Sequence, residues 1–400
     1  MSEHWTLRAW EQRKLGEISD IVGGGTPSTS TDDYWNGNID WYSPAEIGNQ
    51  IFVKGSQKRI TKAGLQKSSA KILPVGTVLF TSRAGIGKTA ILAKEGATNQ
   101  GFQSIVPHEN ELDSYFIYSR THELKQYGET IGAGSTFIEV SGKQMAKMPM
   151  LMPRLQEQIQ IGTFFKKLDD TFALHQRKLD LLNQLKQTFL QVMFPHNGWN
   201  IPTLRFDGFS EPWEPRKLIE MANFRRGSFP QPYGEKKWYD ETNGMPFVQV
   251  VDVGNNLRLV NNTKQKISKL AQPKSVFVEA GKVVVTLQGS IGRVAITQYP
   301  SYVDRTLLIF ESYKQPIDEY YFAYVIQQLF EIEKRTAPGG TIKTITKEVL
   351  SDFLIHIPEF DEQKSLGNYF RKLDDTIDLH QQKIDNIQSL KSTLLNKMFI

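Results

Sequence analysis

Four hundred residues exceed the size at which one hydrophobic core keeps growing, so at least two domains are expected. With 39% hydrophobic and 23% charged residues the chain reads as soluble and globular. The lack of cysteine excludes disulfides and thiolate metal sites, no run approaches the roughly 18 apolar residues of a membrane helix, and residues 1–15 lack the apolar core of a signal peptide. A cytoplasmic chain without membrane contact is expected, and a net charge of +5 with a pI near 9.0 permits nucleic-acid binding without requiring it.

In chain order, residues 1–153 form a first globular segment in which short β-branched runs, 77–81 and 89–92, alternate with Gly, Pro and Asn. A short helix is expected near 114–126. Residues 154–194 follow as a long amphipathic helix bracketed by Pro153 and Pro195, and proline is a natural limit for such a helix. Residues 195–357 form a second globular segment, with strands expected at 247–251 and 282–286 and a helix near 319–335. A second long helix occupies 358–400, again after a proline, Pro358.

The two long helices are one sequence written twice. Residues 157–194 align with 362–399 at an offset of 205 without a gap, and 20 of the 38 positions are identical. Apolar residues recur at steps of four and three: Leu168, Phe172, His175, Leu179, Leu182, Phe189 and Met193 in the first copy, Leu373, Ile377, His380, Ile384, Ile387, Leu394 and Met398 in the second. This is a heptad seam, which Lys186 and Lys391 interrupt at equivalent places.

The duplication reaches into the globular segments. Residues 72–92 match 277–297 at the same offset, and Trp10-Glu11-Gln12-Arg13-Lys14-Leu15 answers Trp213-Glu214-Pro215-Arg216-Lys217-Leu218 at 203. The fold class expected is therefore α+β: two mainly β domains with a few helices, separated by two long helices packed as an antiparallel coiled coil with pseudo-twofold symmetry. Antiparallel pairing follows because domain termini lie close together and only about twenty residues join the first helix to Trp213. An overlap of about 26 residues makes a spacer of roughly 40 Å, near the roughly 34 Å of one DNA turn.

Ser82-Arg83-Ala84-Gly85-Ile86-Gly87-Lys88-Thr89 ends like a phosphate-binding loop, but Ser82 stands where that motif needs its first glycine, and the second copy keeps only Gly292-Arg293. A basic hairpin tip fits both copies better than a nucleotide site. The seven histidines show no ligand spacing, and no catalytic motif or metal-ligand set emerges. Basic and polar loop residues remain as candidates for contacts to DNA: Lys58, Arg59, Arg83, Lys88, Ser135 and Thr136 in the first domain, and Arg225, Arg226, Lys236, Lys237, Arg293, Thr341 and Lys343 in the second. Arg and Lys suit phosphates and guanine edges, while Ser and Thr add further polar contacts. A helical scaffold that never touches DNA is the competing reading.

Gly23-Gly24-Gly25-Thr26-Pro27-Ser28 followed by Tyr34-Trp35-Asn36-Gly37-Asn38-Ile39-Asp40-Trp41 resembles the opening of target-recognition domains in specificity (S) subunits of type I restriction-modification systems. The Gly76-Thr77-Val78-Leu79-Phe80-Thr81 hairpin and the prolines leading into both helices resemble the same family. The second domain departs from this opening, with Arg226-Gly227-Ser228-Phe229-Pro230 in its place. The resemblance implies a non-catalytic subunit in which each globular domain recognises one half of a split, asymmetric site on double-stranded DNA. It implies that the paired helices set the spacing and dock two M (adenine methyltransferase) subunits, through which R (restriction and translocase) subunits join. S-adenosylmethionine, ATP and Mg are then expected on those partners, with no cofactor on this chain.

Overall fold

Behind Pro153 and Pro358 the chain runs into two helices, Leu155–Val192 and Phe360–Met398, of 38 and 39 residues. Each start is built the same way. The Gln158 side chain donates to the Pro153 carbonyl (3.0 Å) and Gln363 to that of Pro358 (3.0 Å). The same two glutamines accept the backbone N–H groups of Asp113 (3.0 Å) and Asp318 (3.2 Å). These aspartates in turn cap shorter helices that begin at Ser114 and Glu319, accepting from the N–H groups of Phe116 and Tyr321.

The joint is too close for a side chain on the long helix. A Cβ at Gly162 or Gly367 would stand 2.4 or 2.0 Å from the capping carboxylate. One turn further back on each helix, Glu157 accepts the indole N–H of Trp10, and Glu362 that of Trp213, both at 3.1 Å.

The computed structural model describes residues 10–48, 50–83, 85–132, 139–195, 198–336 and 350–399. Two compact units emerge, Met1–His175 with Lys383–Ile400, and Gln176–Gln382. In the first, strands Ser19–Gly23, Gln103–Pro107, Val78–Phe80, Thr89–Leu92 and Phe52–Val53 make a sheet in that order, antiparallel except for its last pair. A second sheet orders Lys58–Ile60, Trp35–Tyr42 and Ala97–Thr98. Glu11–Lys14 pairs with Pro149–Met152 where the domain meets its helix.

The second unit repeats this plan. One four-stranded sheet runs Ala222–Arg226, Leu307–Tyr313, Val283–Thr286, Val294–Ile296, and another runs Gln265–Ile267, Met245–Val248, Ser301–Val303, Val276–Val278. Glu214–Lys217 pairs with Leu354–Ile357 at its base. The fold is thus α+β and duplicated.

The expected helix at 114–126 is in fact two, Ser114–Ser119 and Thr121–Gly132. Arg120 breaks them because its buried guanidinium turns inward, donating to the Leu151 carbonyl (2.6 Å) and pairing with Glu123. The strand expected at 247–251 is shifted to Met245–Val248, since Gln249 and Asp252 close a tight turn just after it.

Within each unit the two helix segments run antiparallel. In the first unit Phe399, near the end of the second helix, meets Trp10, Phe116 and Phe165 at centroid distances of 6.0, 5.7 and 6.1 Å. In the second unit its counterpart Phe194, just past the end of the first helix, meets Trp213, Tyr321 and Phe370 at 6.0, 5.9 and 5.7 Å. Each helix thus ends in the core of the other repeat's domain.

The seam residues lie on buried or half-buried faces. Leu179, Leu373, Ile377, His380 and Ile384 are buried, while Leu168, Phe172, His175, Leu182, Phe189, Ile387 and Leu394 are half-buried.

Charges enter this interface at two equivalent places. Lys391 pairs with Asp169, which also accepts the Tyr115 hydroxyl at 2.8 Å. In the second unit the Lys186 ammonium stands 2.6 Å from the carboxylate of Asp374, which accepts the Tyr324 hydroxyl. Burial pushes the Asp374 carboxyl above its ordinary range, opposed by the neighbouring ammonium and the tyrosine hydrogen bond.

Candidate nucleic-acid interface

In the first domain the motif Gly-Gly-Thr-Pro-Ser through Trp41 is a single interlocked framework. Trp41 donates its indole N–H to the Gly25 carbonyl (2.8 Å) and Trp35 donates to that of Ser28 (3.0 Å), with the two rings edge to face at 5.1 Å. Gly25 N–H donates to Thr98 O (2.9 Å), and a Cβ on Gly24 would lie 2.0 Å from the Asn99 carbonyl. Gly24→Ala is accordingly expected to lower the stability of the first domain by about 1–3 kcal/mol, as overpacking against backbone does. An unchanged melting temperature would count against this packing.

The second domain, whose text departs from the motif, keeps the same joint. Ser228 N–H donates to Val303 O (3.0 Å), and a Cβ on Gly227 would lie 2.2 Å from that carbonyl.

Above this framework, charge gathers on a buried carboxylate. Asp40, 1% exposed, takes Arg59 Nε (3.2 Å), Lys94 Nζ (3.3 Å) and the Ser56 N–H (3.2 Å). Burial alone would raise this carboxyl, but the Ser56 N–H, Lys94 and Arg59 together hold it below the ordinary range. Arg59 and Lys94 are themselves largely exposed, and Lys58 lies 5.8 Å from the Trp35 ring. In the second domain Lys237 and Lys274 flank the buried Trp238 ring at 4.5 and 5.0 Å, and Lys236 is exposed beside them.

The hairpin tips at 81–88 and 286–293 are built alike. Thr81 donates to the Gly85 carbonyl (2.8 Å) and accepts the Lys88 N–H (2.9 Å); Thr286 donates to Ser290 O and accepts the Arg293 N–H (3.0 Å). Gly87 and Gly292 turn the chain at φ of 94° and 79°, a region L side chains rarely adopt. Lys88 leads into the strand Thr89–Leu92 rather than into a helix, so no helix N-terminus stands ready for a phosphate and the nucleotide-loop reading lapses.

Of the loop candidates, Lys58, Arg59 and Lys88 are exposed on the first domain, with the first two on a different sheet from the hairpin that carries Arg83 and Lys88. Arg83 is half-buried, bridged through its backbone to Glu139. On the second domain Arg225 and Arg226 are exposed on an edge strand, while Arg293 is half-buried and donates to the Asn255 side chain (3.1 Å). Ser135, Thr136, Thr341 and Lys343 lie outside the described residues. Lys94 and Lys274 escaped the sequence reading because nothing in their spacing marks them, and Asp40 was read only as part of the motif that ends at Trp41. Among the described residues no helix is long and apolar enough to cross a membrane.

The chain is thus a duplicated α+β domain, each copy seated on a long helix and carrying its own basic loops. The chain belongs to the type I restriction-modification specificity family: the model of the type I restriction modification DNA specificity domain matches residues 8–184 and again 210–389. It is 26% identical over 408 residues to the type I restriction enzyme MjaIX specificity subunit of Methanocaldococcus jannaschii, covering 97% of this chain and 92% of that protein. It is 29% identical over 167 residues to the EcoR124I/EcoR124II specificity subunit of Escherichia coli, covering 40% and 41% of the two chains.

The crystal structure of a type I S subunit from M. genitalium shares the fold, with a TM-score of 0.65 at 13% identity, over 100% of this chain and 98% of that one. Proteins of this family are non-catalytic DNA-recognition subunits with two target-recognition domains, and their partners are DNA and the other subunits of the system.

Proposed function

We propose that each domain reads one half of a bipartite, asymmetric DNA site, and that the helix pair sets the distance between the halves and docks two M methyltransferase subunits. The observation that carries this is the repeated joint of Trp10–Glu157 and Trp213–Glu362, which seats two unlike recognition domains in the same way on equivalent helices. Unlike loops on one framework suit unlike half-sites, and a duplicated helix suits two copies of one partner.

S-adenosylmethionine, ATP and Mg belong on the M and R subunits in this reading, the chain itself holding no cofactor and acting in the cytoplasm. Arg59, Lys58, Lys88, Arg225, Arg226, Lys236 and Lys237 are the exposed groups proposed to meet phosphates and base edges. The test is to map methylated adenines across a genome that carries this subunit with its M and R partners. A split motif with two different halves is expected; a contiguous or palindromic motif, or methyl transfer by the isolated chain, overturns the reading.

A further inference from the structure

The proposed spacing needs one alignment of the helix pair, and heptad seams alone do not supply it. A seam of Leu, Ile and Phe packs nearly as well when one helix slides by seven residues, or when it runs the other way. Burying ion pairs in such a seam is at best neutral for stability, and their best-attested use is to select among alignments.

Here the pairs are arranged for that. Along the first helix Asp169 and Lys186 are 17 residues apart, and along the second Asp374 and Lys391 are also 17 apart. Moving up the first helix from Asp169 to Lys186 moves back along the second from Lys391 to Asp374, so both pairs, Asp169–Lys391 and Lys186–Asp374, close in one register only. A slide of one heptad parts all four charges from their partners at once and sets both aspartates against apolar residues, Met398 or Ile384 for Asp169 and Met193 or Leu179 for Asp374. A parallel pairing of the two copies sets Asp169 against Asp374 and Lys186 against Lys391, like against like.

Each aspartate is also held from its own domain by a tyrosine, Tyr115 or Tyr324. By sequence offset these are not equivalent positions, since Tyr115 corresponds to Tyr320. The two domains thus reach the same clamp from different residues.

We propose that the Tyr115–Asp169–Lys391 and Tyr324–Asp374–Lys186 clamps fix the direction and register of the helix pair, and are thereby the residues that determine spacer length. The spacer part rests on the function proposed above, while the register part stands without it.

The chain has no cysteine, so nitroxide labels on Gln187→Cys and Lys372→Cys, both exposed and both in the second unit, read the register of the full-length protein without background. One narrow distance is expected in the parent. Asp169→Leu, Lys186→Met, Asp374→Leu and Lys391→Met together are expected to add a second, longer distance, from pairs in which one helix has slid past the other by about 10 Å, one heptad of rise. With M subunits added, the methylated motif spreads over more than one spacer with both halves unchanged.

A single unaltered distance overturns the register assignment. Mixed distances with a single spacer overturn the link to DNA. A parent that shows one distance but methylates no split motif leaves the clamps intact and removes the function on which the spacer part rests.

A charge exchange keeps the proposal exposed if the apolar variant does not fold. Asp169→Lys with Lys186→Asp in the first helix alone sets like charges together and should abolish assembly. Adding Asp374→Lys and Lys391→Asp should restore one register and one spacer. Failure of that restoration also overturns the proposal.

Discussion

Leu179→Asp combined with Ile384→Asp is expected to abolish folding of the helix pair and, on the function proposed, its assembly with M subunits. Leu179 is 6% exposed and Ile384 4%, so each substitution removes an apolar side chain worth about 2 kcal/mol of burial. Each also puts a carboxylate into the seam in place of that side chain, a further cost of about 3–5 kcal/mol by analogy with a broken buried pair. Two such costs rival the roughly 5–15 kcal/mol that hold a domain folded.

The loss has a signature in pH. A buried, unpaired carboxyl titrates above its unfolded value, so the folded state binds more protons there, and stability falls as pH rises through that window. The double variant, compared with the parent at each pH, should therefore melt closer to it near pH 4 than near pH 8. Leu179→Met with Ile384→Leu, which keeps volume, should cost little. Thermal melts followed by circular dichroism, and co-elution with M subunits, decide it: parent-like behaviour of the aspartate variant removes these positions from the seam.

How much of this was legible beforehand depends on the scale of the feature. The duplicated helices were, because a seam repeated over 38 residues at one offset leaves its pattern in the chain itself. The hairpin strand Thr89–Leu92 was, because a β-branched run between glycine-rich turns has few other uses. Lys186 and Lys391 were visible as interruptions of the seam, but not as halves of ion pairs, since their partners Asp374 and Asp169 sit one position beyond Leu373 and Leu168 and belong to the opposite helix.

The break at Arg120 was hidden for a related reason. Nothing local stops the helix there, and the groups that draw the guanidinium inward include the Leu151 carbonyl, 31 positions away. The basic clusters around Asp40 and Trp238 are tertiary in the same sense. Arg59 and Lys94 come from different strands and turns and converge only because one buried carboxylate between them needs satisfying.

On the function proposed, removing one heptad from both helices, residues 176–182 and 381–387, is expected to shorten the DNA spacer and leave both half-sites as they were. The deletion lies between the charges of each helix, so Asp169 and Lys186 come to stand 10 apart, as do Asp374 and Lys391, and both clamps still close in one antiparallel register. Seven residues keep the phase of the seam, at a drift of only about 20° per heptad. The pair loses about 10 Å of length, which at roughly 3.4 Å per base pair is a spacer shorter by at most about three pairs. The same deletion in one helix alone is a different experiment: spacings of 17 and 10 cannot both close, two charges are left buried and unpaired, and assembly should fail. Methylation mapping of the two deletions separates length from identity. Half-sites that change with the double deletion would mean that the helices read sequence, and an unchanged spacer would mean that something other than their length holds the domains apart.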